Sequence, residues 1–389
     1  MTPVYDADLF TDDALADPYE HYAILRDLGP VVWLSAHEVY AVARYADVRA
    51  VLRDPAVFCS GQGVGLNDQI NRVGPGTTLM SDGEQHRGLR EVIGRPLTPR
   101  ALGRLRPEAQ SLAADLAGRL VAAGTFDAVA DLAQVLPATW VPDLLGWPAD
   151  GRDRLLDWGA ATFDSLGPAN ARAAAAGAGL AEMIRYARQL AVSALPAGSM
   201  AAGIIDAAAR GDITARQCPM AIIDYLGPSL DTTIAALGSA IWLFATHPDQ
   251  WDLLRREPGR MEQAFSEVLR IESPISCFTR VTTQPAQIGG AELPAGARVL
   301  VSFASANRDE RRWADPEAFD ITRDSAGQLS FGYGPHACAG MGLARLEAAA
   351  VLSALAGRVG RFDLAGPPVR RLNNLIRSFG SLPVTVRPA

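Results

Sequence analysis

Lysine is missing from this chain: all 36 of the Lys/Arg positions are arginine. With so much alanine and glycine beside them, this reads as GC-rich coding and carries no functional weight. Cysteine is scarce, four in 389 residues, at positions 59, 218, 277 and 338 with no C-x-x-C pair. That spacing argues against a zinc knuckle or a disulfide framework and leaves free thiols, one of them expected to be functional. A basic field for nucleic acid is lacking too, since the formal net charge is −7. No stretch reads as approaching the roughly 20 apolar residues of a membrane span, and Met1–Asp8 has neither a basic nor an apolar leader region. A cytoplasmic monomer without membrane or nucleic-acid partners is expected. Internal repeats, low-complexity tails, a nicotinamide fingerprint and a flavin domain are also absent.

What is present is mostly helical. Ala/Leu/Arg-rich stretches with helical period, such as 105–123 and 172–194, alternate with breaks at Gly124, Pro137, Gly146-Trp147-Pro148 and Gly167-Pro168. Short β-branched runs at 31–34, 39–42, 280–283 and 298–302 suit a small mixed sheet assembled from distant parts of the chain. The fold class is therefore mainly α with small β-sheets (α+β). The stretch from Gly61 to Gly83 has little periodicity and reads as a structureless functional loop or lid, against the ordinary alternative of a solvated insertion.

The most informative ten residues are Phe331-Gly332-Tyr333-Gly334-Pro335-His336-Ala337-Cys338-Ala339-Gly340, directly ahead of a helical segment. A cysteine at a helix N-terminus is expected to have a lowered pKa, because the peptide dipoles and free N–H groups favour its thiolate. Glycines 332, 334 and 340 would let backbone approach a large flat ligand. These residues resemble the haem-thiolate loop of the cytochrome P450 family, Phe-Gly-x-Gly-x-His/Arg-x-Cys-x-Gly, with every fixed position filled. The resemblance implies haem b, Cys338 as axial iron ligand, and one domain over 1–389. That domain would be a triangular helical body with a smaller β-rich lobe from about 28–60 and 275–302.

Further positions take meaning from the resemblance. Glu267 and Arg270 lie at i and i+3 on a helix expected over 261–271, where such a pair ordinarily marks a solvated face. The family likeness makes them a structural ion pair completed by a third partner in 307–323. His86, Arg90, Arg280 and His336 match positions that serve the haem propionates. A long helix over about 215–246 should kink or open at Pro228, which has no N–H to donate. Asp231-Thr232 resembles the family's acid–alcohol pair for proton delivery during oxygen activation; the ordinary alternative is a capping Asp and a Thr bonded to the preceding turn. Pro228 and Ser229 replace the small residues usual in the family just before it.

The likeness extends along nearly the whole chain, in particular to soluble bacterial members that O-demethylate para-methoxybenzoate. Stretches carrying it include Asp17-Pro18-Tyr19, 42–46, Ser305–Asp309 and Arg370-Arg371-Leu372-Asn373-Asn374. It implies pocket walls from Phe163, Leu166, Ile275 and Phe278, with Pro228 and Thr232 nearest the metal and Leu166 where a second phenylalanine is expected. At the carboxylate-binding end the helix carries Asp224 and Gly227, and the loop offers only Arg72. An unpaired buried Asp224 would repel a benzoate, so a methoxylated phenol of the guaiacol or syringol type is expected. Electrons would come from an iron–sulfur ferredoxin and an NAD(P)H-dependent ferredoxin reductase. The alternatives are para-methoxybenzoate itself, a terpenoid or polyketide hydroxylase, peroxide-driven oxygenation, and a haem-thiolate ligand sensor without turnover.

Overall fold

The computed structural model describes residues 2–389. Its largest sheet joins β1 (Val4–Tyr5), β2 (Val32–Leu34), β3 (Val39–Val42) and β4 (Phe58–Cys59) to β6 (Cys277–Thr282) and β7 (Arg298–Ser302), in the order β1-β2-β3-β7-β6-β4. Pairing is parallel for β1 with β2 and for β3 with β7, and antiparallel elsewhere, so the sheet is mixed as expected. It also recruits residues 4–5, ahead of the expected segment. Leu300, aligned with Ala41, packs towards Phe163 and Leu166, while Val299 and Val301 pack beneath Tyr45 and Phe303. Alternation along one strand thus serves two cores. A second sheet pairs β8 (Val359–Leu364), β11 (Pro383–Pro388) and β5 (Thr125–Asp127), and β9 (Val369–Arg371) forms a hairpin with β10 (Ser378–Ser381).

The helices that matter for the site are α1 (Tyr45–Arg53), α2 (Asp68–Val73), α3 (Gly83–Gly94), α4 (Pro99–Ala123), α5 (Val135–Leu145), α6 (Leu155–Leu166), α7 (Ala171–Leu190), α8 (Cys218–Leu226), α9 (Asp231–Thr246), α10 (Met261–Glu272) and α11 (Met341–Ala356). The helix expected to Ala194 ends at Leu190. Pro137 does not break the chain; it sits in the first turn of α5, where its missing N–H has no intrahelical acceptor to lose. The stretch 61–83 is not structureless, since α2 lies within it, capped by Asn67, whose side chain accepts from the Gln69 amide.

The expected long helix is interrupted at Gly227–Leu230, where Pro228 cannot continue the ladder. Contrary to the sequence expectation, Cys218–Thr246 contains a window of mean hydropathy 1.2, long and apolar enough to cross a membrane, and 72% of it is buried within the protein. A helix that is apolar all round is one a core can enclose completely. Leu237, Ala240, Ile241 and Phe244 of α9 have no exposed surface, and the helix runs through the main core.

α10 forms because Ala264, Phe265, Val268, Leu269 and Ile271 recur at helical spacing and all become buried. It stops where Ser273 takes φ 27° ahead of Pro274. Its Glu267 and Arg270 have no solvent contact and pair through two bonds of 2.8 Å. Arg270 donates also to the carbonyls of Asn307, Pro316 and Ala318 at 2.7 to 2.9 Å, so all five of its N–H groups are used. Glu267 accepts from Arg323 Nε at 3.1 Å, from the Asp320 amide at 3.2 Å and from the Ser325 hydroxyl. Arg323 is the third partner, inside the expected stretch.

Removing one member of such a pair strands the others. Glu267→Gln should cost about 3–5 kcal/mol of stability in urea unfolding, whereas Glu262→Gln, exposed on the same helix, should stay within about 0.5 kcal/mol.

Candidate active site

The Phe331–Gly340 segment folds back on itself: the Cys338 amide donates to the Phe331 carbonyl at 2.7 Å and the Ala337 amide to that of Gly334 at 3.0 Å. Gly334 is required by a neighbour in the protein, because a Cβ there, at φ +74°, would lie 2.4 Å from the Leu52 carbonyl of α1. The Cys338 side chain is exposed onto a cavity of about 300 Å³ and is otherwise surrounded by protein. Its pKa is raised, not lowered. Burial dominates, and the pull of the Gly340 and Met341 amides and of Arg90 is insufficient to offset it. A cation bound to sulfur, supplying charge directly, is what such a thiol needs in order to ionise.

The cationic group assembles beside it. His86 and Arg90 project from α3 and Arg280 from β6, and with His336 all four line the cavity, as do Phe331, Gly332 and Gly340. The rings of His86 and His336 lie 4.1 Å apart. Burial, with His336 and Arg90 adding to it, pushes His86 down to about 4, and its Nε2 has no hydrogen-bond partner. Burial also pulls Arg280 down to about 10; its Nη1 donates to the Thr279 carbonyl at 2.8 Å. Among the described residues neither Arg90 nor Arg280 pairs with a carboxylate at ion-pair distance. Asp82 approaches His336 Nε2 at 3.4 Å, too poorly aligned for a hydrogen bond, and is itself engaged by the Ser60 and Gly61 amides.

The same cavity is also lined by Phe163 and Leu166 of α6, Asp224 of α8, Pro228 and Ser229 of the helix break, Thr232 of α9, and Ile275 and Phe278. Thr232 Oγ1 donates back to the Pro228 carbonyl at 2.9 Å, and Ser229 donates to the Tyr225 carbonyl. The acid of the expected pair is placed differently: Asp231 is absent from the cavity wall and faces α6, where a Cβ on Gly159 would come within 3.3 Å of its carboxyl. Burial pushes Asp231 up to about 6 with Asp164 and Asp157 adding to it, against Arg371. Arg72 is exposed on α2 and takes no part in the wall, whereas Ile70, Thr77 and Thr78 of the same stretch do.

Asp224 is not unpaired, as the sequence had suggested. Its Oδ2 accepts from the Thr78 amide at 2.7 Å and the Thr78 hydroxyl at 2.6 Å. Burial still pushes it up to about 6, outweighing Thr78, the Leu79 amide and Arg90. Sequence reasoning missed Glu347 of α11, which lines the cavity with Oε2 unpartnered and is pushed up to about 8 by burial alone. Its position on the buried face of α11, nine residues after Cys338, was the available signal.

The family profile of cytochrome P450 matches residues 200–380. The chain is 39% identical to cytochrome p450 CYP199A2 of Rhodopseudomonas palustris, over 100% of this chain and 95% of that protein. It is 33% identical to the cytochrome P450 monooxygenase PikC of Streptomyces venezuelae, over 99% of this chain and 95% of PikC. Among solved structures, CalO2 superposes with a TM-score of 0.85 at 30% identity, over 98% of this chain and 99% of that one. Cytochrome P450 CREJ in complex with (4-ethylphenyl) dihydrogen phosphate superposes with a TM-score of 0.88 at 25% identity, over 96% and 98% respectively. This chain belongs to the cytochrome P450 family and is a haem b monooxygenase with that family's α+β fold. The residues present fit the cofactor: an unpartnered buried imidazole and two arginines without carboxylates suit a dianionic edge, and a thiol stands in the same cavity.

Asp231 carries a pH signature. Its folded pKa of about 6 lies above the ordinary carboxylate value, so it costs no stability below about pH 4 and progressively destabilises the fold as pH rises through 6. Asp231→Asn should therefore be more stable than the parent by about 1–3 kcal/mol at pH 8, with the advantage vanishing near pH 4, measured by denaturant unfolding of the ferric protein.

Proposed function

We propose that Cys338 is the axial ligand of the haem, that His86, Arg90, Arg280 and His336 hold its propionates, and that the enzyme O-demethylates a small methoxylated phenol of the guaiacol or syringol type. Asp224 carries this reading: it is an acid lining the cavity among apolar residues and hydroxyls, held by Thr78. At neutral pH it accepts hydrogen bonds and repels anions, so it favours a ligand end that donates. Phe163, Leu166, Ile275 and Phe278 offer flat apolar contact to one aromatic ring.

Thiolate-ligated haem supplies the oxidant for a methyl C–H bond, given dioxygen, two electrons and protons. The resulting hemiacetal collapses to a catechol-type phenol and formaldehyde, with water as the second product of dioxygen. Thr232 keeps lone pairs free for a water, because its own proton goes to Pro228. Asp231, turned towards α6 with a pKa of about 6, would pass protons to this site only through intervening water. Bacterial members of the family typically draw electrons from a ferredoxin and its reductase, and that pair is the proposed donor here. A terpenoid or polyketide substrate is the second reading, favoured by the apolar wall that continues past the ring contacts to Leu144, Met183 and Met200.

Optical titration of the ferric protein at pH 7.5 should give a high-spin shift with guaiacol and syringol, and formaldehyde on turnover, but not with 4-methoxybenzoate. Asp224→Ser should improve 4-methoxybenzoate binding by about tenfold or more, since like-charge contact costs several kcal/mol and 1.4 kcal/mol is one decade. A benzoate shift in the parent at this pH would overturn the reading. A shift only with a terpenoid or polyketide would install the second.

A further inference from the structure

Glu272, the last residue of α10, is a carboxylate with 1% of its side chain exposed and three arginines around it. Arg370 Nη1 lies 2.7 Å and Arg377 Nε 3.4 Å from its Oε2, and Arg308 Nη2 lies 3.8 Å from its Oε1; none is aligned as a hydrogen bond, so the carboxylate holds the three by charge. The Tyr19 hydroxyl is 3.4 Å from Oε1, and the Arg308 and Arg377 guanidinia stack over the Tyr19 ring at 3.4 and 4.9 Å. Burial would raise the Glu272 pKa, but Arg377, Arg370 and Arg308 together hold it below the usual carboxylate range. Of the other nearby acids, Glu317 binds Arg308 at the surface and Asp17 acts on Arg377. Glu272 is thus the one buried negative charge shared by three cations from separate segments.

Two of those cations bracket a loop. Arg370 belongs to β9 and Arg377 immediately precedes β10, so the carboxylate ties down both feet of the loop 372–376. From those feet the loop reaches two walls of the cavity. On one side the Arg377 amide donates to the Pro274 carbonyl at 2.9 Å, the Ser276 amide to that of Leu375 at 3.0 Å, and Ile275 bridges Ile376. On the other, Asn373 Nδ2 donates to the Ala160 carbonyl at 3.0 Å, Asn374 Nδ2 to the Asp164 carbonyl at 2.8 Å, and the Asn374 amide to Asp164 Oδ1 at 2.8 Å. Those are α6 positions, flanking Phe163. The loop is a strut between the Pro274–Ile275 wall and the Phe163–Leu166 wall.

We propose that Glu272 is a positioning residue for substrate: by fixing both feet of this strut it sets the separation of the two walls that grip the aromatic ring. It makes no contact with substrate and takes no part in proton or electron transfer. The inference rests on the ring lying between those walls, and it is independent of which aromatic is the natural substrate.

The test uses the haem-loaded protein and two azoles that bind the iron directly. 4-Phenylimidazole places a phenyl ring between the walls, and imidazole does not. Glu272→Gln should weaken 4-phenylimidazole by about tenfold and leave imidazole unchanged. Hydrogen exchange at the Arg377 amide should accelerate, and Arg370→Lys, which keeps the charge on a shorter side chain, should show the same split to a smaller degree. The exposed Glu317→Gln serves as the control. Affinities for both azoles unchanged from the parent in Glu272→Gln, or equal weakening of both together with a lower melting temperature, would overturn the proposal by making the cluster a stability element alone. Should Glu272→Gln fail to load haem, Arg370→Lys is read by the same criterion. Failure of the phenol reading would show separately, as no spin shift of the parent with guaiacol or syringol.

Discussion

A buried carboxylate and guanidinium on α10 fix the thiol loop, although neither touches the cavity. Once Glu267 and Arg270 are out of water, each demands every hydrogen bond its geometry permits, since an unmet one costs the full desolvation of a charge. The partners that meet the demand are carbonyls and amides between Asn307 and Ser325. That irregular stretch has no ladder of its own, so the ion pair dictates its course. Asn307 then passes the constraint forward: its amide binds Ser273 and Ser330 hydroxyls at 2.8 and 2.9 Å, and its oxygen accepts from the Leu329 amide at 2.7 Å. Two residues after Leu329 the Phe331–Gly340 segment begins. The position of one sulfur therefore depends on a pair more than sixty residues earlier in the chain.

The same helix ends in a second buried acid with a different use. Glu267 is met by backbone, serine and arginine on the side of the thiol loop, whereas Glu272 is met by arginines on the side of the C-terminal hairpin. Between them α10 contributes Leu269 to the cavity wall. A rigid rod with an anchor at each end relates the floor of the site to its lateral walls, and the strained Ser273 at φ 27° turns the chain from the rod into Pro274. Such strain persists only where neighbours over-determine the backbone, and Asn307 bonding the Ser273 hydroxyl is one of those neighbours.

What could be read from the sequence was local. The Phe331–Gly340 pattern is contiguous, Pro228 interrupts its helix by its own covalent structure, and Glu267-x-x-Arg270 lies within one turn. β3 and β7 were legible as runs, and their mixed pairing followed from their distance apart. What escaped reading depended on contacts across the chain. Asp224 looked unpaired because Thr78, 146 positions away, supplies its bonds. Asp231 was grouped with Thr232 by adjacency, yet consecutive helical residues point about 100° apart, and the two groups face different neighbours. The Cys338 thiol was expected to be acidic from its helix terminus, a local effect that desolvation by the surrounding protein outweighs even though the side chain opens onto the cavity. Glu347 lies in an ordinary helical stretch, and only packing shows its carboxyl turned inwards without a partner.

Arg90, Arg280, His86 and His336 line the cavity together with Asp224, whose carboxyl feels Arg90, while Asp231 lies outside the cavity against α6. The four cationic or basic side chains favour an anionic ligand edge beside them, and Asp224 when ionised opposes one. Asp224 is poised between its charged and neutral forms. Thr78 sets that balance for Asp224, since its hydroxyl and amide favour the charged form while burial opposes it. The charge state of Asp224 is thus a property of the loop residue as much as of the acid it holds.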